Sequence, residues 1–418
     1  MSQLPLKKTQ LTYRGRLKMS VNSSTLQIPV EDAKISISYT GDPDSVLEEL
    51  TTDPSGQTET IDLAAPDLEY SLTPLSTQPY SEYNLNVTAP GYEPLVISGT
   101  QILPDVEALQ NISLIPLEFQ GSPEDIVIPA HTLYGEYPPK IPEAEIKPVA
   151  DTGEIVLSRV VVPEYIIVHD GSPNDSTASN YYVRYKDYIK NVASSEIYAT
   201  WPESSIYANI LCIMSFTLNR VYTEWYRNKG YDFTITSNTA FDQKWMRGRN
   251  IYENIDYLVD TIFANYLSRP GIRQPIFTSY CDGERVTCDG LSQWGSKYLG
   301  DEGYQPIDII HYYYGSDMYI NTAEAISGVP SSYPGYVLTI GASGQKVLQL
   351  QEQLNRIARN YPAIPTVTAD GIYGERTAEA VKTFQRIFSL PQTGETDYPT
   401  WYAISDIFVG VSRIAEPV

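Results

Sequence analysis

The stretch Tyr188–Tyr207, which reads YIKNVASSEIYATWPESSIY, decides how the middle of this chain is organised. It places one acid, Glu196, in an otherwise uncharged run between Lys190 and Glu203. A short helical turn leads into the acid, and Pro202 is well placed to begin a second helix, where its missing N–H costs nothing. The pattern therefore predicts a corner between two helices, with Glu196 inside it.

The aromatic neighbours of Glu196 indicate a chemical role for this acid. Tyr198 and Trp201 flank it, and a carboxyl held among aromatic rings is partly desolvated, which disfavours its charged form and raises its pKa. A raised pKa is what a general acid at a sugar-cleaving site requires. An exposed acid at a helix end is the alternative that position alone leaves open.

The segment 188–202 resembles the signature of the stage II sporulation protein D family of lytic transglycosylases. Further similar segments follow in that family's order, namely YDFT at 231–234, DQ at 242–243, CDGLSQWG at 288–295, GY at 303–304 and IIHYYYG at 309–315. The resemblance implies that Glu196 is the catalytic acid and that Ser292 and Gln293 belong to the catalytic site. We expect three aromatic side chains to bind the substrate there, namely Tyr198, Trp201 and Trp294.

Composition and charge exclude some partners. The chain has 418 residues, enough for roughly two to four domains, and its formal net charge is −22 without a basic cluster. Nucleic acid and anionic membrane surfaces are therefore unfavourable partners. Tyrosine is unusually common, at 34 residues against nine Phe. Tyrosine suits stacking on sugar rings, although it also packs well in sheets and interfaces.

Three cysteines are too few for a disulfide framework. Cys212 lies in an apolar helical run and is expected to be a buried thiol. Cys281 and Cys288 enclose Asp282-Gly283, a hairpin signal. These two cysteines could form a disulfide across a hairpin, remain free thiols or supply half of a metal site.

A metal site has little support in the sequence. Zinc needs about four ligands, and the chain has only three histidines, His131, His169 and His311. Where many members of the resembling family have histidine, this chain has Thr278 and, at or beside the second position, Thr287. We therefore expect no metal and no cofactor.

Residues 1–118 are expected to form an all-β sandwich with an accessory or shielding role. Short alternating runs such as 33–39 and 83–87 are separated by turn signals at 42–43, 54–56 and 89–91. The pattern indicates a small antiparallel sandwich, and it resembles the carboxypeptidase-regulatory or transthyretin-like sandwich. The amino terminus lacks an apolar core of signal-peptide length, so we expect synthesis in the cytoplasm without classical export.

Residues 119–163 contain spaced prolines and acids, and little periodic apolar pattern remains. Such a composition is typical of an extended linker, where a protease would cut. His131 lies in this segment and is interpreted as a solvated or docking residue.

Residues 164–326 are expected to form a central α+β domain. The run 165–169 is an apolar strand, and Ile206, Ile210, Ile213 and Met214 mark the apolar face of a long helix behind Glu196. A second amphipathic helix is predicted around 251–262, a strand at 275–280, and a loop at 290–295 that opens the last helix. We expect Glu196 to face the Ser292-Gln293-Trp294 loop across a groove.

Residues 327–336 form a second linker, and residues 337–418 closely resemble the peptidoglycan-binding type 1 domain, a small three-helix module. The motif G-x-x-G-x-x-V-x-x-L-Q begins at Gly341, and D-G-x-x-G-x-x-T-x-x-A-V-x-x-F-Q begins at Asp370. Any binding would use the exposed loop around Asp370 and Tyr373. The fold class is therefore multidomain, with an N-terminal all-β sandwich, a central α+β catalytic-type domain and a C-terminal three-helix bundle.

This domain order is similar to that of the clostridial spore cortex-lytic enzymes in their precursor form. The resemblance implies a peptidoglycan substrate, removal of a prosequence by a subtilisin-like germination protease between residues 119 and 163, and a place in the spore cortex or coat. An amidase acting between sugar and peptide, and a non-catalytic wall-binding coat protein, are the two alternatives. A second carboxylate for a hydrolase could come from Asp242, Asp282 or Asp289, although each is better explained by turn or cap chemistry.

Overall fold

The computed structural model describes residues 13–24, 28–74, 77–118, 125–131, 133–135, 138–147, 159–327 and 333–412. The chain divides into two compact units, the first made of 1–65, 80–128 and 328–418, and the second of 66–79 and 129–327. Much of the predicted activation segment 119–163 lies outside the described residues, namely 119–124, 132, 136–137 and 148–158.

The amino-terminal part of the first unit is built from strands. These are β1 (Tyr13–Ser23), β2 (Lys34–Tyr39), β3 (Asp42–Thr51), β4 (Ile61–Ala65), β5 (Ser81–Thr88), β6 (Leu95–Ile102), β7 (Glu107–Leu114) and β8 (Ile126–Val127). One sheet places β1 between β4 and β7, and a second has the order β3-β2-β5-β6-β8. Residues 13–118 are mostly strands, apart from a short helix at Glu69–Leu72, and the sandwich arrangement stays a prediction. The antiparallel prediction is wrong for two pairs, because β1 is parallel to β7 and β6 is parallel to β8.

Alternation of side chains along the strands builds the core of these sheets. Leu17, Met19 and Val21 are buried at every second position of β1, and Ile35 and Ile37 do the same on β2. Successive side chains of a strand point to opposite faces. The alternating runs in the sequence therefore encode which face of each sheet is covered.

The second unit mixes short strands with helices. Its elements are α1 (Glu69–Leu72), β9 (Val161–Val162), β10 (Tyr165–His169), β11 (Asn180–Arg184), α2 (Tyr185–Glu196), α3 (Glu203–Tyr222), a 3-10 turn (Arg227–Lys229), β12 (Ile235–Thr236), β13 (Ile251–Tyr252), α4 (Glu253–Ile262), β14 (Asn265–Ser268), β15 (Tyr280–Cys281), β16 (Leu291–Ser292), α5 (Gln293–Asp301), α6 (Pro306–Tyr314), β17 (Tyr319–Thr322) and β18 (Ala325–Ile326). Strands and helices are both present in this unit, and the assignment of residues 164–326 as one α+β catalytic-type domain stays a prediction.

The predicted corner between two helices is present. Helix α2 ends at Glu196, and α3 begins at Glu203 with Pro202 as its N-cap residue. Helix α3 is buried on nearly every side, as expected of a central helix. Its polar side chains are hydrogen-bonded inside the unit; for example, Ser215 Oγ donates to the carbonyl oxygen of Ile276 at 2.8 Å.

Two local predictions in this unit are wrong. Residues 275–279 have no strand structure, because their backbone groups bond outside any ladder: the Phe277 N–H donates to the Glu145 carbonyl at 2.9 Å. The cysteines do not face each other across a hairpin either. Cys281 and Cys288 form a disulfide that closes a loop, and β15 pairs with β16 in parallel.

The carboxyl-terminal part of the first unit is helical, with α7 (Gln345–Ala358), α8 (Glu375–Ile387) and α9 (Tyr398–Ser412). Two buried glutamines hold the turns between these helices. Gln351 Oε1 accepts from Gly371 N at 2.8 Å, and Gln385 Oε1 accepts from Gly394 N at 2.9 Å. In the motif pairs Leu350-Gln351 and Phe384-Gln385, the first residue therefore packs in the core and the second holds a turn through its side chain.

In the part of the chain that the structure describes, the helices lack the combination of length and apolarity needed to cross a bilayer.

Candidate functional site

Glu196 is the last residue of α2, and only 2% of its surface is exposed. Its Oε1 accepts the backbone N–H of Lys244 at 2.7 Å. Its Oε2 is buried and has no hydrogen-bond partner among the described residues. The carboxyl therefore keeps one oxygen available for a proton or a substrate, and the predicted partial desolvation is confirmed.

Burial is the largest influence on the acidity of this carboxyl. Desolvation raises the pKa of Glu196 above its usual value, whereas the positive charge of Lys140, the Lys244 N–H and the Tyr280 hydroxyl oppose that rise. The net effect is a raised pKa, so the carboxyl holds its proton more tightly than an exposed glutamate does. Glu196 is therefore suited to hold a proton for donation under conditions where an exposed glutamate has lost it.

A glutamine stabilises the floor of the site. Gln243 Nε2 donates to the Tyr280 hydroxyl at 3.1 Å, and Gln243 Oε1 accepts from the hydroxyls of Tyr188 and Thr217 at 3.0 and 2.8 Å. Gln243 is fully buried, so this network fixes the Tyr280 ring beside the acid. The Asp-Gln pair of the sequence resemblance thus includes a residue that orients the site.

Glu196 lies in the wall of a pocket inside the second unit. The lining residues are Gly135, Pro138, Lys140, Glu196, Thr239, Tyr280, Cys281, Asp282, Arg285, Val286 and Gln293. Four stretches far apart in the chain supply this lining: the Pro-rich residues before 148, the helix corner at 196, Thr239, and the residues from 280 to 293. The pocket combines one available carboxyl with two cations, Lys140 and Arg285.

The disulfide-closed loop, residues 281–288, forms one side of the pocket. Asp282 Oδ1 accepts three backbone N–H groups, from Glu284, Arg285 and Val286, at 2.8–3.1 Å. Such contacts are typical of an Asp that shapes a turn. Gly290 follows with φ +144°, and a Cβ there would lie 1.9 Å from the Ser279 carbonyl oxygen, so only glycine fits.

Ser292 and Gln293 have different roles in the structure, and Gln293 is the one that contacts Glu196. Ser292 is the N-cap of α5, and its Oγ accepts from Gly295 N at 2.9 Å. Gln293 Nε2 donates to the backbone carbonyl of Glu196 at 3.1 Å and also lines the pocket. Gln293 thus fixes the end of α2, and a direct catalytic role for either residue stays a prediction.

The three aromatic residues expected to bind substrate are packed together. Tyr198, Trp201 and Trp294 are each 2–4% exposed, and the centroids of the Trp201 and Trp294 rings are 4.9 Å apart. Trp201 Nε1 donates to the Ser71 carbonyl at 2.9 Å. These rings support the helix corner from inside, and stacking of sugars on them stays a prediction that would require the covering residues to move.

The other acids near the site are engaged elsewhere. Asp242 is fully buried and pairs with the buried guanidinium of Arg220, Oδ1 to Nε at 2.7 Å. Its Oδ2 accepts from the Tyr226 hydroxyl at 2.6 Å. Asp282 holds its turn, and Asp289 is exposed on the surface. Among these acids, Glu196 is the one with a buried carboxylate oxygen, Oε2, that accepts no close hydrogen bond from the described residues, although the Tyr280 hydroxyl lies near enough to the carboxyl to lower its pKa.

The structure shows the state of all three cysteines. Cys212 is a buried free thiol, as predicted, and burial raises its pKa to about 12. The disulfide between Cys281 and Cys288 uses both sulfurs, so neither is available as a thiolate ligand in this state. Thr278 Oγ1 donates to the Cys212 carbonyl at 2.6 Å.

Sequence reasoning missed Lys140, Tyr280 and Arg285 as pocket residues. Each lies outside the motifs that carried the resemblance, and Lys140 lies in a segment interpreted as a linker. A sequence signal for Tyr280 as a buried residue beside the site does exist, because the apolar run 275–280 leads directly into the disulfide-closed loop. No sequence signal indicated that Lys140 and Arg285 would line one pocket.

The two residues of the predicted binding loop in the C-terminal domain differ in their exposure. Asp370 is exposed, and its Oδ1 accepts from Ile372 N at 2.9 Å. Tyr373 is fully buried, and its hydroxyl donates to the Gly394 carbonyl at 3.0 Å. Ile340 and Ile372, in contrast, are 59% and 57% exposed. They lie on neighbouring segments, which are joined by the hydrogen bond from Gly341 N to the Tyr373 carbonyl at 2.9 Å.

Residues 343–404 match the family model of the peptidoglycan binding domain. The chain therefore carries a C-terminal peptidoglycan-binding domain, formed by α7–α9. The comparison with curated proteins found no match.

Solved structures show limited similarity. The SleB N-terminal domain is 32% identical over 18% of this chain and 93% of its own, with a TM-score of 0.16. The Bacillus anthracis TIE protein is 13% identical over 25% of this chain and 17% of its own, with a TM-score of 0.18. The minor pilin GBS52 of Streptococcus agalactiae is 13% identical over 27% and 48%, with a TM-score of 0.18.

Proposed function

We propose that the second unit cleaves the glycan backbone of peptidoglycan as a lytic transglycosylase, with Glu196 as general acid and base. The observation that carries this proposal is the environment of Glu196. The carboxyl is buried, its pKa is raised, one oxygen lacks a partner, and it lines a pocket. The C-terminal peptidoglycan-binding domain would keep this pocket close to its substrate.

The reaction suits a site with one available carboxyl. Glu196 would first donate its proton to the glycosidic oxygen between N-acetylmuramic acid and N-acetylglucosamine. The same carboxylate would then accept the proton of the muramic C6 hydroxyl as that oxygen attacks the anomeric carbon, giving a 1,6-anhydro product. An ordinary glycosidase needs a second carboxylate about 5 Å away for retention, or about 6.5–9.5 Å away for inversion, whereas the Asp282 carboxyl is held by its turn.

The biological setting follows from the resemblance to SleC-type spore cortex-lytic enzymes. We propose that the chain is a precursor that acts on spore cortex peptidoglycan during germination, after a subtilisin-like protease removes a prosequence. The acidic net charge of −22 supports a substrate with few charged peptides.

The test is a digest of purified spore cortex with the full chain, before and after limited cleavage by subtilisin, beside the Glu196→Gln variant. Mass spectrometry should find 1,6-anhydro-muramic ends from the wild type and none from Glu196→Gln. Glu203→Gln is the matched control, because Glu203 is an exposed acid at the start of α3. That control should retain wild-type activity.

The remaining outcomes distinguish the alternatives. Reducing ends would indicate a hydrolase and overturn the transglycosylase mechanism. Freed peptides would indicate an amidase. Equal binding of the wild type and Glu196→Gln to cortex, without any product from either, would favour a non-catalytic wall-binding protein.

A further inference from the structure

A buried glutamine fixes the direction of the hydrogen bonds on the floor of the pocket. Gln243 Nε2 donates to the main-chain carbonyl of Ile213 at 3.1 Å, and a carbonyl can only accept, so the amide nitrogen must lie on this side. The second hydrogen of the same nitrogen is directed to the Tyr280 hydroxyl at 3.1 Å. The Tyr280 oxygen is therefore the acceptor of this bond, and the hydroxyl keeps its own hydrogen for another partner.

That partner is the Glu196 carboxyl. Tyr280 and Glu196 are both buried and line the same pocket, and the hydroxyl acts on the carboxyl as a hydrogen-bonding side chain. In the resting protein Oε2 of Glu196 accepts no close hydrogen bond from the described residues, so it can still accept one. Burial raises the pKa of Tyr280 well above its usual value, and the phenol therefore remains a donor at neutral pH.

The two carboxyl oxygens of Glu196 have different surroundings. Oε1 accepts the Lys244 N–H at 2.7 Å, and a backbone N–H can only donate, so Oε1 is kept as an acceptor. The proton of the acid form is therefore carried by Oε2, the oxygen without a close partner. When this proton leaves, negative charge develops on Oε2 in a buried site, where a hydrogen bond to a charged group is stronger than one between neutral groups.

We propose that Tyr280 is a positioning residue for Glu196, and that its hydroxyl, oriented by Gln243, donates to Oε2 when the acid gives its proton to the glycosidic oxygen. This inference rests on the proposed role of Glu196 and deepens it. The bond stabilises the carboxylate and not the protonated acid, so it favours departure of the proton. It also keeps the carboxylate in one orientation until it accepts the proton of the muramic C6 hydroxyl.

Other groups also act on the Glu196 carboxyl and must be kept constant in any test. Against the larger effect of burial, the positive charges of Lys140, in the Pro-rich segment (residues 129–147), and of Lys244 lower its pKa. Tyr188 and Asp242 belong to the same electrostatic neighbourhood. Tyr280→Phe removes one hydroxyl and keeps the ring, so all of these groups are retained in the variant.

The test measures the titration of the Glu196 carboxyl in the intact full chain, by carbon-13 NMR of glutamate-labelled protein, with Glu196→Gln to assign the signal. Tyr280→Phe should shift this titration to higher pH by about one unit, a roughly tenfold change in proton affinity, because the carboxylate loses its donor. An unchanged titration in Tyr280→Phe would overturn the role of Tyr280.

Tyr188→Phe is the matched control, because it removes another buried hydroxyl from the same glutamine. The Tyr188 hydroxyl donates to Gln243 Oε1 at 3.0 Å, whereas Tyr280 contacts Nε2. Its loss should leave the Glu196 titration unchanged. An equal shift in both variants would mean that loosening of the network, and not the Tyr280 hydroxyl, is measured, and it would overturn the proposal.

A double variant tests the part assigned to Gln243. Gln243→Leu removes the donor that orients the Tyr280 hydroxyl and should shift the Glu196 titration in the same direction. If Gln243 acts through Tyr280, Tyr280→Phe/Gln243→Leu should shift the titration no further than Tyr280→Phe alone, and additive shifts would overturn the orienting role. The titration does not depend on turnover, so failure of the proposed reaction appears separately, as cleavage of cortex by Glu196→Gln.

Discussion

At the scale of the residue, the buried Glu196 carboxyl should cost stability at neutral pH. The unfolded chain loses this proton near about pH 4.3, whereas the folded chain holds it to a higher pH because burial raises the pKa. Folding therefore becomes less favourable as pH rises through this interval. We expect Glu196→Gln to raise the free energy of unfolding by on the order of 1 kcal/mol at about pH 7 and to change it little near pH 4.

Urea denaturation of the wild type and Glu196→Gln at both pH values checks this prediction. Glu203→Gln, at an exposed site, should not stabilise the protein at either pH value. A stabilisation by Glu196→Gln that is equal at both pH values would mean that the charged carboxyl is not the cause.

A second prediction at this scale concerns Asp242, which binds Arg220, Tyr226 and the Thr236 N–H. Asp242→Asn removes the negative charge that compensates the fully buried Arg220 guanidinium. It also places an amide N–H₂ donor where a carboxylate oxygen now accepts hydrogen bonds. We expect a loss of about 3–5 kcal/mol in unfolding free energy, measured by thermal and urea denaturation. Asp289→Asn, an exposed neighbour of the disulfide-closed loop, should change stability by less than about 0.5 kcal/mol.

The sequence was sufficient to find Glu196 but not its surroundings. A lone acid between two helix signals and next to aromatic residues could be recognised locally. The neighbours that set its acidity could not: Lys140 reaches it from a segment without periodic pattern, and Tyr280 is fixed by a hydrogen bond from Gln243. Contacts between residues so far apart in the chain leave no trace in local periodicity.

At the scale of the element, the disulfide-closed loop should stabilise the pocket wall. Cys281 and Cys288 are seven residues apart, and closure of such a short loop is worth about 2 kcal/mol in the chain-entropy account. We expect Cys281→Ser/Cys288→Ser to lower the unfolding free energy by about that amount. Hydrogen exchange should also rise at Arg285 and Val286, whose N–H groups bond to Asp282.

Gel-based counting of thiols under denaturing conditions provides the control for this prediction. The wild type should show one free thiol, Cys212, and the double variant should show the same number. If the variant keeps both its stability and its slow exchange at Arg285, the loop is held by the Asp282 contacts alone.

The helices were predictable because periodicity and proline fix them locally. Helices α3 and α4 fall where apolar spacing placed them, whereas α2 (Tyr185–Glu196) is longer than the short helical turn that was expected before Glu196. The strand expected at 275–280 is wrong for residues 275–279 because their N–H groups bond to two different segments and not to one partner strand: Ile276 N donates to Leu267 O of β14, and Phe277 N donates to Glu145 O. An apolar run without a partner strand in register cannot be distinguished from a buried extended segment by sequence alone.

At the scale of the whole molecule, the division into units differs from a simple succession of domains along the chain. Residues 66–79 separate from the strands on either side of them and belong to the second unit. The Pro-rich segment also belongs to that unit from residue 129 onward. Sequence composition could separate the strand-rich, mixed and helical parts of the chain. It could not show that these two segments belong to the second unit, because tertiary contacts decide where such short segments pack.

Binding to peptidoglycan should depend on the exposed apolar pair of the C-terminal domain. Ile340 and Ile372 have more than half of their surface exposed, and exposed large apolar side chains near polar turns often contact ligands. Burial of each against glycan would contribute about 1 kcal/mol. In sedimentation of the full chain with purified cortex, Ile340→Ser/Ile372→Ser should therefore weaken binding by roughly tenfold or more. Val127→Ser, at a 69% exposed position on β8, is the matched control and should bind as the wild type does. Equal binding of all three proteins would move the contact surface to the polar loop at Asp370.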